Sequence, residues 1–131
     1  MHSIGVKTNK REQFLDITRE VQEYLSSSKM NNGVLTLYSS HTTAGLTINE
    51  GADPSVMRDI LVNLERLVPR HGDYQHMEGN SDAHIKTSLM GPSLQIIVDN
   101  GRLMLGTWQK IFFTEFDGPR SRKVWLKWIA G

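Results

Sequence analysis

Apolar residues recur along this chain in two rhythms, and the changes from one to the other mark its elements. Residues 2–7 alternate apolar and polar, as in a strand with one buried face. A turn-like Thr8-Asn9-Lys10 leads into a return strand over residues 12–16. Ile17, Val21, Tyr24 and Leu25 then share one stripe of a helix that Asp16 or Thr18 can cap and that runs to Ser28. Asn31-Asn32-Gly33 interrupts the chain before an apolar strand over 34–38, and Leu46–Asn49 reads as another short strand. Asp53-Pro54 opens the clearest helix: Asp53 is its cap, and Pro54 takes the first helical position, where a missing N–H costs nothing. Val56, Ile60, Leu61, Leu64, Leu67 and Val68 recur at helical spacing until Pro69, which predicts a helix over 54–68 that docks through this stripe.

After residue 91 the period is two. Strands are predicted over 94–98, 102–106, 108–116 and 123–129, with Asp99-Asn100-Gly101 as a hairpin turn. In the last strand Val124, Leu126 and Trp128 share one face, while Trp125, Lys127 and Ile129 share the other. Helices set among antiparallel hairpins predict an α+β fold, a single domain over 1–131 of largely antiparallel sheets with a few helices.

Composition narrows the partners. A length of 131 residues fits one domain, and 38% hydrophobic with 22% charged residues is ordinary for a globular chain. A net charge of +1 provides no strong field for gripping long nucleic acid, so no nucleic-acid partner is expected. No apolar run approaches the roughly 20 residues of a membrane span, so no membrane is expected either. The N-terminus has no basic-then-apolar secretory pattern and the chain has no cysteine, which points to the cytoplasm. Any metal must then be held by imidazole nitrogens and oxygens.

The densest chemistry lies between His71 and Gly91. Three of the five histidines (His71, His76, His84) and three carboxylates (Asp73, Glu78, Asp82) fall within fourteen positions, with Lys86 and Ser88 just beyond. Imidazoles beside carboxylates suit acid–base work or a metal, and a lysine suits phosphate. Ser81 or Asp82 can cap a short helix over 83–90, stopped by Gly91-Pro92. In that helix His84 and Ser88 share a face, and Lys86 points about 160° away from Ser88. A strand over 84–88 instead puts His84, Lys86 and Ser88 on one side. The spacing fits both.

Other candidates are spread along the chain. Ser39-Ser40-His41-Thr42-Thr43 leaves a buried strand as an anion or metal pocket, or as a turn whose hydroxyls bond their own backbone. Glu50 is a candidate ligand or base. Gly106-Thr107-Trp108-Gln109 offers hydrogen-bonding side chains for a substrate, or a bulge with Trp108 packed inside. Arg120, Arg122 and Lys123 follow the Asp117-Gly-Pro turn, as phosphate ligands or as a solvated hairpin end.

Taken together, His41-Thr-Thr-Ala-Gly-Leu-Thr-Ile-Asn49-Glu50, Asp53-Pro54, Tyr74-x-His76-x-Glu78-Gly-Asn80, Asp82-Ala-His84-Ile-Lys86, Gly91-Pro-Ser-Leu, Gly106-Thr-Trp-Gln109 and Glu115-Phe-Asp117-Gly-Pro-Arg120 resemble the motifs of the YjbQ family, also called UPF0047. The resemblance covers nearly the whole chain. It implies an α+β domain assembled as a homotrimer, a histidine-containing pocket and a secondary thiamine-phosphate synthase activity on a small phosphorylated metabolite. Its implied catalytic residues are His84, Lys86, Ser88 and Glu50. Thr43, Thr107, Gln109 and Arg120 are implied to bind substrate phosphate. His41, His76 and His84 are implied to hold a divalent metal, Mg or Zn, and no organic cofactor is expected. A metal-dependent hydrolase and a non-catalytic trimeric metabolite-binding protein are the alternatives. The chain departs from the family pattern at Gly51 and Lys110, where asparagine and glycine are expected.

Overall fold

A computed structural model describes all 131 residues. Strands β1 (His2–Lys7) and β2 (Gln13–Asp16) precede helix α1 (Thr18–Ser27). Strands β3 (Gly33–Tyr38) and β4 (Ala44–Glu50) are followed by helices α2 (Pro54–Leu67) and α3 (Ser81–Met90). Four strands complete the chain: β5 (Ser93–Asp99), β6 (Arg102–Leu103), β7 (Gln109–Glu115) and β8 (Ser121–Ala130). They form a five-stranded sheet in the order β1-β8-β3-β5-β6 and a three-stranded sheet in the order β2-β7-β4. Every strand pairing is antiparallel, so the fold is α+β as the alternation predicts.

The main core lies between the two sheets. Leu35, Leu37, Ile96, Val98, Val124 and Leu126 of the larger sheet meet Ala44, Leu46, Ile111 and Phe113 of the smaller, and Ile17, Val21 and Leu25 of the α1 segment join them. A second, smaller core of Leu64, Ala83 and Phe116, with Phe14, Ile60, Leu61 and Met90 against it, seats α2 and α3. Gly45 lets the end of α3 close on β4, because a Cβ there would stand 2.7 Å from the Gly91 carbonyl oxygen. No helix of the protein is long and apolar enough to cross a membrane.

Several local expectations are corrected. α1 has Ile17, not Asp16 or Thr18, at its N-cap position, although Asp16 Oδ1 accepts from the Thr18 amide at 2.9 Å. β4 begins at Ala44, because register with Glu115 and Thr114 of β7 carries the pairing back past Leu46. β6 stops at Leu103, well short of residue 106. α3 begins at Ser81, with Asn80 and neither Ser81 nor Asp82 in the capping position. That it is a helix settles the choice between helix and strand for 84–88. Only Leu64 of the α2 stripe is buried, and Leu67 is 73% exposed. The Asp53 cap is as expected, with its carboxylate accepting from the Ser55 amide at 3.0 Å. The hairpin turn carries positive φ at both Asn100 and Gly101, the demand that made Asn-Gly legible.

Candidate functional site

His76 and His84 are brought together. The loop between α2 and α3 folds back so that the two rings lie 5.4 Å apart, centroid to centroid, at 89°. They face a cavity of about 430 Å³ that Asp73, Tyr74, Gln75 and Ser81 help to line. Tyr74 braces the loop by donating from its hydroxyl to the Pro69 carbonyl at 2.5 Å. Glu78 Oε2 stands 3.8 Å from His76 Nε2. The cavity opens at the N-terminus of α3, whose first amides have no side-chain cap. Such amides and their aligned dipoles favour an anion. Asn80 gives its amide group to Asp117 at 2.8 Å, while its Oδ1 is buried with no protein partner, an acceptor for a bound hydrogen.

Lys86 faces the other way. Its ammonium is fully buried and donates to Glu12 at 2.6 Å, Asp82 at 3.0 Å and Glu65 at 3.1 Å. An ammonium has three protons, so none remains for a phosphate in this arrangement. Arg11 forks onto both oxygens of Asp82, at 3.0 and 3.2 Å. Burial alone would push Lys86 down, but its hydrogen bonds to the three carboxylates outweigh it and hold the ammonium above its ordinary value. Burial alone would likewise raise Asp82, and the bonds from Arg11 and Lys86 hold it below the usual carboxylate range. The carboxylate oxygens of Glu12, Glu65 and Asp82 lie within 4.8 Å of one another, the spacing of a cation site, and the cation among them is Lys86 itself.

His41 belongs to a different place. Its Nε2 accepts from the Lys123 amide at 3.0 Å and lies 3.2 Å from the Lys123 carbonyl, leaving Nδ1 for any other partner. The ring stands edge-on to Phe113. Burial, then the nearby Arg122 guanidinium, holds its pKa below the ordinary histidine value. Beneath it Arg122 is bound to Glu115 and donates to Thr43 Oγ1 at 2.8 Å, while Thr8 donates to Glu115 at 2.8 Å. Thr43 is thus part of a buried brace. Ser39 behaves as a turn hydroxyl, donating to the Ala44 carbonyl at 2.9 Å.

The remaining candidates are dispersed. Glu50 and Gln109 are register partners at the far end of β4 and β7. Glu50 Oε2 accepts from the Ala52 and Asp53 amides at 2.6 and 3.2 Å, bracing the turn that leads into α2. Gln109 Oε1 closes its own turn on the Gly106 amide at 2.8 Å, and Thr107 is exposed. Trp108 is 62% exposed, so it is not the packing residue of a bulge. Arg120 turns back onto Asp117 at 3.2 Å. Ser88 lies on the His84 face and donates to the His84 carbonyl at 3.0 Å. Gly51 and Lys110 fit together: a Cβ on Gly51 would collide with Cβ and Cγ of Lys110, so the lysine stem occupies the space over the glycine.

Sequence reasoning missed Glu12, Glu65 and Arg11. Glu12 lies 74 positions from Lys86 and Glu65 lies 21 away, and no local spacing announces either contact.

The UPF0047 protein YjbQ-like family model matches residues 2–131. A UPF0047 protein of Methanocaldococcus jannaschii is 54% identical over 125 residues, covering 95% of this chain and 91% of that one. UPF0047 protein YugU of Bacillus subtilis is 48% identical over 131 residues, covering 99% of each. Among solved structures, an uncharacterised conserved protein of the yjbq/upf0047 family from Clostridium acetobutylicum superposes with a TM-score of 0.96 at 56% identity, covering 98% of this chain and all of that one. The conserved protein TT1486 of Thermus thermophilus gives 0.92 at 45% identity with the same coverage. The chain belongs to the UPF0047 family.

Proposed function

We propose that this UPF0047 protein binds a small phosphorylated metabolite in the His76–His84 cavity and acts as an enzyme with thiamine-phosphate synthase activity as a side reaction. The observation that carries the reading is the convergence of two imidazoles, 5.4 Å apart, in a cavity at the uncapped start of α3. A phosphate would rest on the first amides of α3 and the Ser81 hydroxyl, leaving the rest of the ligand against the two rings. In the synthase reaction the carbon–oxygen bond between the pyrimidine's methylene and its diphosphate breaks. The thiazole nitrogen forms a bond to that carbon, and pyrophosphate departs with the electron pair. Such a displacement needs alignment of the two reactants and neutralisation of charge growing on the leaving group. His84, on a helix anchored by the buried Lys86 network, would carry a proton to that leaving oxygen.

A divalent metal at this site would draw on the same residues. His76 and His84 would hold it, with Glu78 beside His76, and this nitrogen-rich donor set suits Zn better than Mg. That donor set favours a second reading, a hydrolase, since such an ion supplies an activated water. Exposed apolar side chains on the helical layer (Val62 and Leu67 of α2, Ile85 and Leu89 of α3) support assembly into a homotrimer.

The test is to incubate purified protein with the pyrimidine diphosphate and the thiazole phosphate and follow thiamine phosphate and pyrophosphate together. Stoichiometric appearance of both, lost in His84→Ala, supports the synthase reading. Pyrophosphate or phosphate released without thiamine phosphate, with zinc binding seen by calorimetry and lost in His76→Ala, favours the hydrolase. No turnover of either kind, with tight binding of the substrates, leaves a binding protein and rejects both.

A further inference from the structure

The segment between α2 and α3 is fastened at both ends and hardly at all between them. At its start the Arg70 amide donates to Glu65 Oε2 at 2.8 Å, and Glu65 is itself held by the Lys86 ammonium. At its end the Asn80 side chain is tied to Asp117 at 2.8 Å, and its backbone carbonyl accepts from the Ala83 amide at 3.0 Å. The stretch just past Arg70 braces itself. The Tyr74 amide donates to the Gly72 carbonyl at 3.0 Å and its hydroxyl to the Pro69 carbonyl, while the ring lies over Gly72, where a Cβ would stand 3.1 Å from two ring carbons. Beyond Tyr74 the fastening stops. Residues 75–79 are all exposed, Met77 at 97%, and none of them makes a hydrogen bond to the rest of the protein. The polar and ring contacts of His76 are with Glu78, inside the segment, and with the edge of the His84 ring. Gly79 has φ +77°, which glycine adopts readily, and a Cβ there would meet nothing, so the backbone can rotate freely at that point.

We infer that residues 75–79 are a lid that swings between Tyr74 and Gly79, carrying His76 onto and away from His84, so that the two-imidazole site exists only when the lid is shut. Segments with few buried contacts and no hydrogen bonds to their surroundings open at little cost in free energy, and active-site lids are drawn from them. His84 stays behind when the lid opens, because α3 is pinned two residues further on by Lys86 and its carboxylates. One imidazole is therefore fixed and the other is delivered. Opening exposes the start of α3 to an entering ligand. Closing places Gln75 and His76 over the cavity and displaces water from it. The purpose of the lid rests on the proposed binding of a phosphorylated metabolite in this cavity; its motion needs no ligand.

The chain has no cysteine, so Met77→Cys supplies a single labelling point on the lid, and Asp59→Cys, whose side chain is 65% exposed on α2, supplies a reference. Each full-length variant, carrying a small thiol-reactive fluorophore, is followed by time-resolved anisotropy. The lid label should show a nanosecond component that the α2 label lacks. Adding His84→Ala removes the latch and should enlarge that component at position 77 while leaving position 59 unchanged. Pyrophosphate, the product of the proposed displacement, should suppress the component over the concentrations at which calorimetry shows it binding. Equal mobility at positions 77 and 59 overturns the inference, as does a lid label indifferent to His84→Ala. Pyrophosphate that binds without slowing the label overturns closure over the ligand. A label that moves and responds to His84→Ala, in a protein to which pyrophosphate does not bind, upholds the lid and counts against the phosphorylated ligand instead.

Discussion

A buried ammonium is held in this protein by three carboxylates, and what happens when it is removed follows from charge alone. Lys86→Met leaves Asp82 fully buried and Glu12 and Glu65 facing it, with only Arg11 in compensation. Breaking a buried pair by removing one partner costs about 3–5 kcal/mol, so urea denaturation at pH 7 should show a loss of that size. The sign of its pH dependence is also set. In the parent Asp82 and Glu65 are held below their ordinary values, so their contribution is present above the unfolded carboxylate range and is lost as pH falls through the folded values. In the variant the crowded carboxylates shift upward, and their protonation relieves the folded state as pH falls. The deficit should therefore shrink between pH 7 and pH 4; a constant or growing deficit would show that the network is not what holds α3. His84, two residues away, is the contrasting case. His84→Ala should leave the melting temperature nearly unchanged while lowering turnover about 10²–10⁴-fold. A destabilised but fully active protein would remove His84 from the site. The two residues look alike in the sequence, neighbouring members of one polar run. The helix separates them, one face to the cavity and the other into a network whose members come from Arg11, Glu12 and Glu65. Residue types and local spacing carried the chemistry of His76 and His84, whose convergence needs only one loop; they carried nothing of contacts closed by the whole fold.

Among the elements, α2 shows why a periodic stripe is only half of a packing argument. Its apolar positions are real, but the surface beneath them is small: Leu64 reaches the cluster of Ala83 and Phe116, while Leu67 finds solvent. Leu64→Ala should accordingly cost about 2–5 kcal/mol, as core truncations do. Leu67→Ala should stay within about half a kcal/mol, the range of surface changes. Equal losses at the two positions, read from chemical denaturation, would mean that α2 docks on a different face. Strand faces were more legible than helix docking, because alternation records both faces of a sheet at once. The Asn100-Gly101 turn was legible for a further reason, since its backbone demands positive φ at both positions. β6 was overestimated because Met104 and Leu105 were counted as strand: Leu105 packs on the core without pairing, while Met104 is exposed and its amide makes one last bond to the Ile97 carbonyl.

At the scale of the whole molecule, two surfaces remain uncovered and they differ in kind. The open sheet face presents Tyr38, Ile97 and Ile129 among its lysines, whereas the helical layer presents Val62, Leu67, Ile85 and Leu89, Ile85 lining the cavity with His84. Exposed apolar side chains are costly to leave in water, and closed rings of identical subunits are a common way to cover them. Ile85 and Leu89 are one helical turn apart on α3, so a neighbouring copy seated on them would also wall the His76–His84 cavity. Light scattering at micromolar concentration should then give a mass three times that of one chain. Ile85→Asp with Leu89→Asp should reduce it to a single chain without unfolding it, since neither side chain is part of either core. The same double variant should weaken ligand binding in the cavity. A parent protein that scatters as one chain would end the trimer. A variant that stays trimeric would move the contact away from α3.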